Sequence, residues 1–405
     1  MPNVVFCAPF LLETTRRFVD AACEMPDVRL ALVTHEAPES IPAELREKLA
    51  LVARTKDPLA AGAIADAVRS AAGRIGPIDR LLGALEELQV PLGEVRAQLG
   101  IPGMDGETAK NFRDKARMKE ILRTQGLPCA RHRRVVEEDD ALRFAEEVGY
   151  PLVVKPSAGS GARNTFRVED ETQLREALRL GEVEGADTLL EEFVRGQEHS
   201  FDSVFLDGRV AWFSTCHYFP GPLEVLEKPW IQWCVVIPRE ARHPRYDDIR
   251  VAAEASLRAL GMTDGFSHLE WFRRTDGSLA ISEVGARPPG AQFVSLMSWA
   301  HDVDMYRAWA RLMIFDRFDP PDRPYAAGAA FLRGQGTGHI QAIHGIRDTV
   351  REMAGLAMEI RLPKEGAAPR GTYEGDGWVI VRHPRTDVVE AALSKIVRTI
   401  RVELG

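Results

Sequence analysis

The chain is poor in lysine. Of its 52 basic residues only nine are lysine and forty-three are arginine, so a lysine set inside an apolar strand is conspicuous. Cysteine is sparse too. Cys7, Cys23, Cys129, Cys216 and Cys234 are scattered and odd in number. None stands in Cys-x-x-Cys spacing, so neither a disulfide framework nor a zinc site is indicated. There is no excess of positive charge. A net charge of −8 argues against a protein held on nucleic acid through phosphate contacts. No apolar run reaches the ~20 residues of a membrane-spanning helix. Residues Met1 to Cys7 lack the charged and long apolar segments of a signal peptide. These absences predict a cytoplasmic protein with neither nucleic acid nor a membrane as partner. Two nucleotide-binding signatures are missing as well. No Gly-x-Gly-x-x-Gly follows the first apolar run, and no Walker A loop occurs anywhere.

What is present is ample core material, 45% hydrophobic over 405 residues, enough for two or three domains. The first hundred residues alternate. Asn3–Cys7, Arg29–Thr34 and 78–83 read as strands, and 11–23, 58–72 and 86–99 as helices. Such alternation predicts a small, mostly parallel α/β sheet over 1–105. A second unit begins near Gly106. Residues 112–125 have the pattern of one amphipathic helix stopped by Gly126 and Pro128. A strand over 130–136 and a helix over 139–148 follow.

Next, Pro151-Leu152-Val153-Val154-Lys155 is a short apolar strand ending in a lysine. A loop of small residues follows, Ser157, Ala158, Gly159, Ser160 and Gly161. A half-buried lysine requires an anionic partner. A Gly-rich loop brings backbone N–H groups close to phosphate oxygens and can move as a lid. Read alone, the stretch fits a plain flexible loop beside a snorkelling lysine somewhat better, since Gly-rich loops are common. Then Leu189-Leu190-Glu191-Glu192-Phe193-Val194 runs an apolar strand into two acids, with Glu198 just beyond a glycine turn. Acids at a strand end suit an adenine amino group and ribose hydroxyls, or simply a solvated edge.

Residues 265–283 carry the strongest local signal. Two apolar-rich runs flank Asp276-Gly277, a two-residue hairpin signature. With that turn, Glu270 falls opposite Glu283, and Phe272 and Ile281 share their face. Opposed carboxylates on a part-buried face need a cation or a shared proton. Oxygen ligands from two strands suit Mg²⁺ held together with nucleotide phosphates. A slip of one residue in register would instead leave one glutamate solvated.

In this order, these stretches resemble the ATP-grasp superfamily. The resemblance spans nearly the whole chain, since Tyr325 to Leu404 is similar to the small C-terminal domain of the carboxylase-like branch. It implies a fold of mixed α/β and α+β class: an N-terminal α/β domain (1–105), a first ATP-grasp lobe with the Gly-rich loop (106–190), a second lobe with the metal site (191–320) and a small C-terminal α+β domain (321–405). Asp114-Lys115 resembles the first phosphate-lysine motif and Lys155 the second, with Ser157, Gly159, Ser160 and Gly161 as the loop. Glu191, Glu192, Phe193 and Val194 resemble the adenine-contacting segment, and Glu198 the ribose acid. Glu270 and Glu283 resemble the ligands of Mg²⁺, or of Mn²⁺ in its place. Arg287 resembles the arginine that holds an acyl phosphate or a substrate carboxylate. One departure is visible. Where the family often has Glu-x-Asn, this chain has Glu283-Val284-Gly285, and a glycine offers no side-chain ligand.

The resemblance implies an ATP-dependent carboxylate–amine ligase, similar to L-amino acid ligases. Lys115, Lys155 and Arg287 would stabilise phosphoryl transfer. His268, two residues before Glu270, would take a proton from the amine or else hydrogen-bond a glutamate. Small-molecule acids and amines are the implied partners, with a homodimer left open. The alternatives are an enzyme activating formate or bicarbonate and a non-catalytic nucleotide-binding protein. The Pro-rich, aromatic stretch 218–233 reads as a cap on an acceptor pocket, its size set by Trp230 and Trp233, or as a dimer contact. Arg333 would meet a second carboxylate or tie a hairpin to the core.

Overall fold

The computed structural model describes residues 1–159, 161–183, 187–228 and 230–405. Residue Ser160 therefore lies outside the described residues. At the N-terminus, four strands form a parallel sheet in the order Leu51–Arg54, Arg29–Thr34, Asn3–Cys7, Arg80–Leu82. The expected strands are joined by Leu51–Arg54 at one edge. Both faces are apolar because both are covered. Val4 and Phe6 pack with Phe18 and Trp309, while Val5 and Cys7 pack with Ile64 and Val68.

The helix expected over 112–125 is two helices, Gly106–Arg113 and Lys115–Thr124. Asp114 causes the break. Its backbone leaves helical angles, and its side chain accepts from the N–H groups of Ala116 and Arg117, both at 3.0 Å. This is an N-cap, and it sets Lys115 at the first position of a new helix.

The next unit is an antiparallel sheet in the order His132–Val135, Thr188–Glu192, Leu152–Pro156, Phe166–Val168. The helices Glu138–Val148 and Glu171–Val183 accompany it. A larger sheet follows, eight-stranded among the described residues. Its first five strands are Leu279–Gly285, Gly265–Arg274, Gly196–Leu206, Arg209–Phe219 and Trp233–Ile237. It continues across residue 320 through Ala326–Leu332, Gly377–His383 and Ala357–Arg361. Second lobe and C-terminal segment thus share one hydrogen-bonded sheet.

The stretch 218–233 is not a structureless connection. It contains the helix Pro222–Glu227. Trp233 is buried and stacks on Phe331, whereas Trp230 is exposed. Arg333 is spent on main-chain carbonyls, those of Val225 at 2.7 Å and Ile231 at 3.0 Å. It ties the C-terminal segment to this helix instead of meeting a substrate carboxylate. Among the described residues, no helix is long and apolar enough to cross a membrane.

Candidate active site

The metal hairpin reaches the expected pairing by an unexpected route. Gly277 has φ +86°, and the Gly277 N–H donates to Arg274 O, so the turn holds Thr275, Asp276 and Gly277. That extra turn residue shifts the register by one, pairing Trp271 with Ile281 and Phe272 with Ala280. A bulge beyond Trp271 then restores it, and Glu270 pairs with Glu283. Ile281 does not share the face of Phe272. It packs with Trp271 and Leu269, while Phe272 packs with Ala280, Ala130 and Val194.

Both glutamates line a cleft of about 1330 Å³. This exceeds the roughly 300–1,000 Å³ of a single small-ligand pocket, leaving room for a nucleotide and its co-substrates together. Lys115, Lys155, Gly159, Gly161, Glu191, Glu192, Phe193, Val194, Glu198, His268 and Arg287 also line it. Ser157 does not. It is buried, its carbonyl accepts from the Lys115 N–H at 2.8 Å, and its N–H donates to Asp187. It anchors the loop to the Lys115 helix and presents no hydroxyl to a phosphate.

The charges are arranged around the two lysines. Lys115 Nζ lies 3.1 Å from Glu283 and donates to Gly159 O at 2.8 Å. Burial raises the Glu283 pKa, but Lys115 and Lys155 outweigh it and hold this carboxyl below its usual range. Lys155 Nζ lies 2.8 Å from Glu191. Glu191 meets a second lysine, Lys119, at 3.3 Å. One buried carboxylate thus serves two ammonium groups, and its side chain is turned to them. Burial draws the pKa of Lys119 down, while for Lys155 Glu191 overcomes burial and raises it. Glu192 is likewise engaged, by Arg274 at 2.7 Å and by the Arg131 N–H at 2.9 Å. Phe193 lies under the Arg167 guanidinium, 4.4 Å from its ring centre. Glu198 differs. Burial, then the charge of Glu270, raises its pKa well above the carboxylate range.

His268 is not free to act as a base. Its Nδ1 lies 2.6 Å from Asp202 and its Nε2 3.5 Å from Glu270. Burial opposes protonation, but these two carboxylates prevail and push its pKa up to about 9. A doubly anchored imidazolium has no lone pair for an incoming proton.

Arg287 donates from Nε to Glu86 and from Nη1 to Pro288 O at 2.9 Å. Burial disfavours its charge, yet Glu86 more than restores it. Glu86, Lys119 and Asp202 were not legible as site residues. Lys119 carried the one usable signal, as a scarce lysine four residues after Lys115. Tyr373 also lines the cleft, its ring edge-on to Trp233 at 4.7 Å.

The donor set fits a divalent ion shared with phosphates. Among the described residues, no group of three or more His, Cys, Asp or Glu side chains could hold a metal on its own. Glu270 and Glu283 set carboxylate oxygens side by side on one wall of the cleft, a donor set that fits Mg²⁺ completed by a nucleotide.

Residues 114–210 match the family described as Carbamoyl-phosphate synthase L chain, ATP binding domain. The L-arginine-specific L-amino acid ligase of Bacillus subtilis is 26% identical over 248 residues. That match covers 60% of this chain and 59% of the ligase. Among solved structures, the L-amino acid ligase from Bacillus licheniformis superposes with a TM-score of 0.81 at 18% identity, covering 100% of this chain and 99% of that one. The N5-carboxyaminoimidazole synthetase from Staphylococcus aureus complexed with ADP gives 0.71 at 14% identity, covering 98% and 97%.

Proposed function

We propose, from the match of residues 114–210 to an ATP-binding domain family and from the shared fold, that the chain is an ATP-dependent carboxylate–amine ligase of the ATP-grasp superfamily. It joins a small carboxylic acid, an amino acid by similarity to the ligases above, to an amine and releases ADP and phosphate. The observation that carries this reading is the convergence of Lys115, Lys155, Glu270, Glu283 and Arg287 on one cleft.

The residues divide the work. Lys115 and Lys155 face the phosphates, and Glu191 holds Lys155 charged and in place. Glu270 and Glu283 would hold Mg²⁺, which supplies charge neutralisation on the β- and γ-phosphates when bound. Phe193 and Val194 flank the base, and Glu198 receives the ribose hydroxyls. Gly159 and Gly161 belong to the covering loop that keeps water from a hydrolysable intermediate. A substrate carboxylate oxygen bonds to the γ-phosphorus as the bond to the bridging oxygen breaks, and ADP leaves. The amine nitrogen then bonds to the acyl carbon, phosphate departs, and the amine loses a proton. Arg287 holds the acyl phosphate. His268 contributes charge and position beside Glu270.

The test is ADP release in the presence of a panel of carboxylic acids, with hydroxylamine as trap. Acid-dependent ADP and a hydroxamate are expected. AMP with pyrophosphate, or nucleotide turnover indifferent to any acid, would overturn the reading.

A further inference from the structure

Gly285 stands where a further metal ligand would be expected, and its backbone gives no reason for a glycine. It is not among the residues of positive φ, and it pairs with His268 as an ordinary strand residue. What distinguishes the position is its neighbours. A Cβ at 285 would lie 3.4 Å from Glu86 Oε2 and 3.7 Å from Arg287 Cγ. That is ordinary contact, so a Cβ alone fits, and a longer side chain such as asparagine extends into the space beside that carboxylate.

Glu86 comes from the N-terminal domain, at the start of the turn Glu86–Leu88 that leads into the helix Gln89–Leu99. It is 6% exposed, so its charge must be compensated. It accepts from Arg287 Nε and lies 4.0 Å from Arg113 Nη1. Arg113 in turn donates to Gly159 O at 3.1 Å, the carbonyl that Lys115 also uses. One carboxylate therefore links the N-terminal domain, the end of the helix Gly106–Arg113, the Gly-rich loop and Arg287. With Nε held by Glu86 and Nη1 by Pro288 O, the guanidinium is fixed in plane and its remaining edge is left for a ligand.

We propose that Glu86 is the positioning residue of the acid subsite, occupying the room that Gly285 leaves and orienting Arg287 toward the acyl group. This rests on the ligase reading above. On this account Glu86 and a side chain at 285 longer than a methyl group compete for one space, and the N-terminal domain governs how the acid is held.

The test is a double-mutant cycle on the full chain, using an acid that supports ADP release. Glu86→Gln keeps the volume and removes the charge. It should lower kcat/KM for the acid by about 10²-fold, as a misplaced catalytic group does. Mg-ATP affinity should stay within about twofold, since a group acting along the reaction path need not alter ground-state binding. Gly285→Asn should also lose activity, while adding it to Glu86→Ala should cost no more than Glu86→Ala alone. Thermal unfolding reads the shared space without turnover: Gly285→Asn should lower Tm in the wild-type background but not beside Glu86→Ala. Wild-type kcat/KM in Glu86→Gln, a parallel loss of ATP affinity, or additive losses in either readout would overturn the inference while leaving the ligase reading intact. No ADP from the wild type with any acid would instead sink the ligase reading, and the positioning role with it.

Discussion

Individual side chains in this cleft are defined by what already holds them. His268 is the clearest case. Pressed between Asp202 and Glu270, it carries a pKa pushed up to about 9, against about 6.5 in an unfolded chain. A raised folded pKa contributes stability that is fully present below about pH 6.5 and lost as pH rises through about 9. Metal-free protein should therefore lose stability across that alkaline window. His268→Gln should flatten the decline. Urea unfolding in the presence of a chelator, at intervals from pH 6 to about 9.5, checks this. An unchanged slope in His268→Gln would mean that other groups titrate there. The same logic applies to Glu191, whose removal would leave Lys119 and Lys155 buried without a counter-ion, the costly way to break an ion pair.

At the scale of elements, two loops decide the shape of the nucleotide end. The bulge beside Glu270 returns two carboxylates to register after a three-residue turn has displaced them. The other loop begins where the strand Arg209–Phe219 ends and passes Gly221 against Glu198. A Cβ at Gly221 would clash with Glu198 Oε2, although Gly221 itself has φ −64°. The glycine is thus required by proximity and not by conformation. Gly221→Ala displaces the end of a flexible side chain, so it should change Tm little. If Glu198 receives the ribose, the variant should bind Mg-ATP about tenfold more weakly, the loss of roughly one hydrogen bond. It should also discriminate less between ATP and dATP. Titration calorimetry with both nucleotides would decide, and unchanged discrimination would remove Glu198 from the ribose.

On the scale of the whole molecule, the cleft is assembled from every unit. Glu86 comes from the N-terminal sheet region, Lys115 and Lys155 from the next unit, Glu270 and Glu283 from the large sheet, and Tyr373 from the C-terminal segment. A ligand bound there should stabilise the protein as one body. At about 100 times its Kd, Mg-ATP is expected to add about 2.7 kcal/mol, read as a rise in Tm. Glu283→Gln should keep the fold but lose turnover and the Mg²⁺-dependent part of that rise. A Glu283→Gln protein with near wild-type rates would remove the metal assignment.

Much of this was written in local sequence. The alternation of the first hundred residues, the apolar strand ending in Lys155 and the opposed glutamates of the hairpin are short-range patterns, and strand and turn chemistry acts over just such distances. The break at Asp114 lay within reach of the same reasoning, because a cap is a local device. The tertiary structure decided everything that depends on separate segments meeting. It turned Glu191 to two lysines 72 and 36 residues away in sequence (191 − 119 and 191 − 155). It also kept His268 protonated by way of Asp202, and set Glu86 beside Gly285 across 199 residues of chain (285 − 86). Ion pairing and packing are indifferent to separation along the chain, so their partners become visible only once the chain has folded.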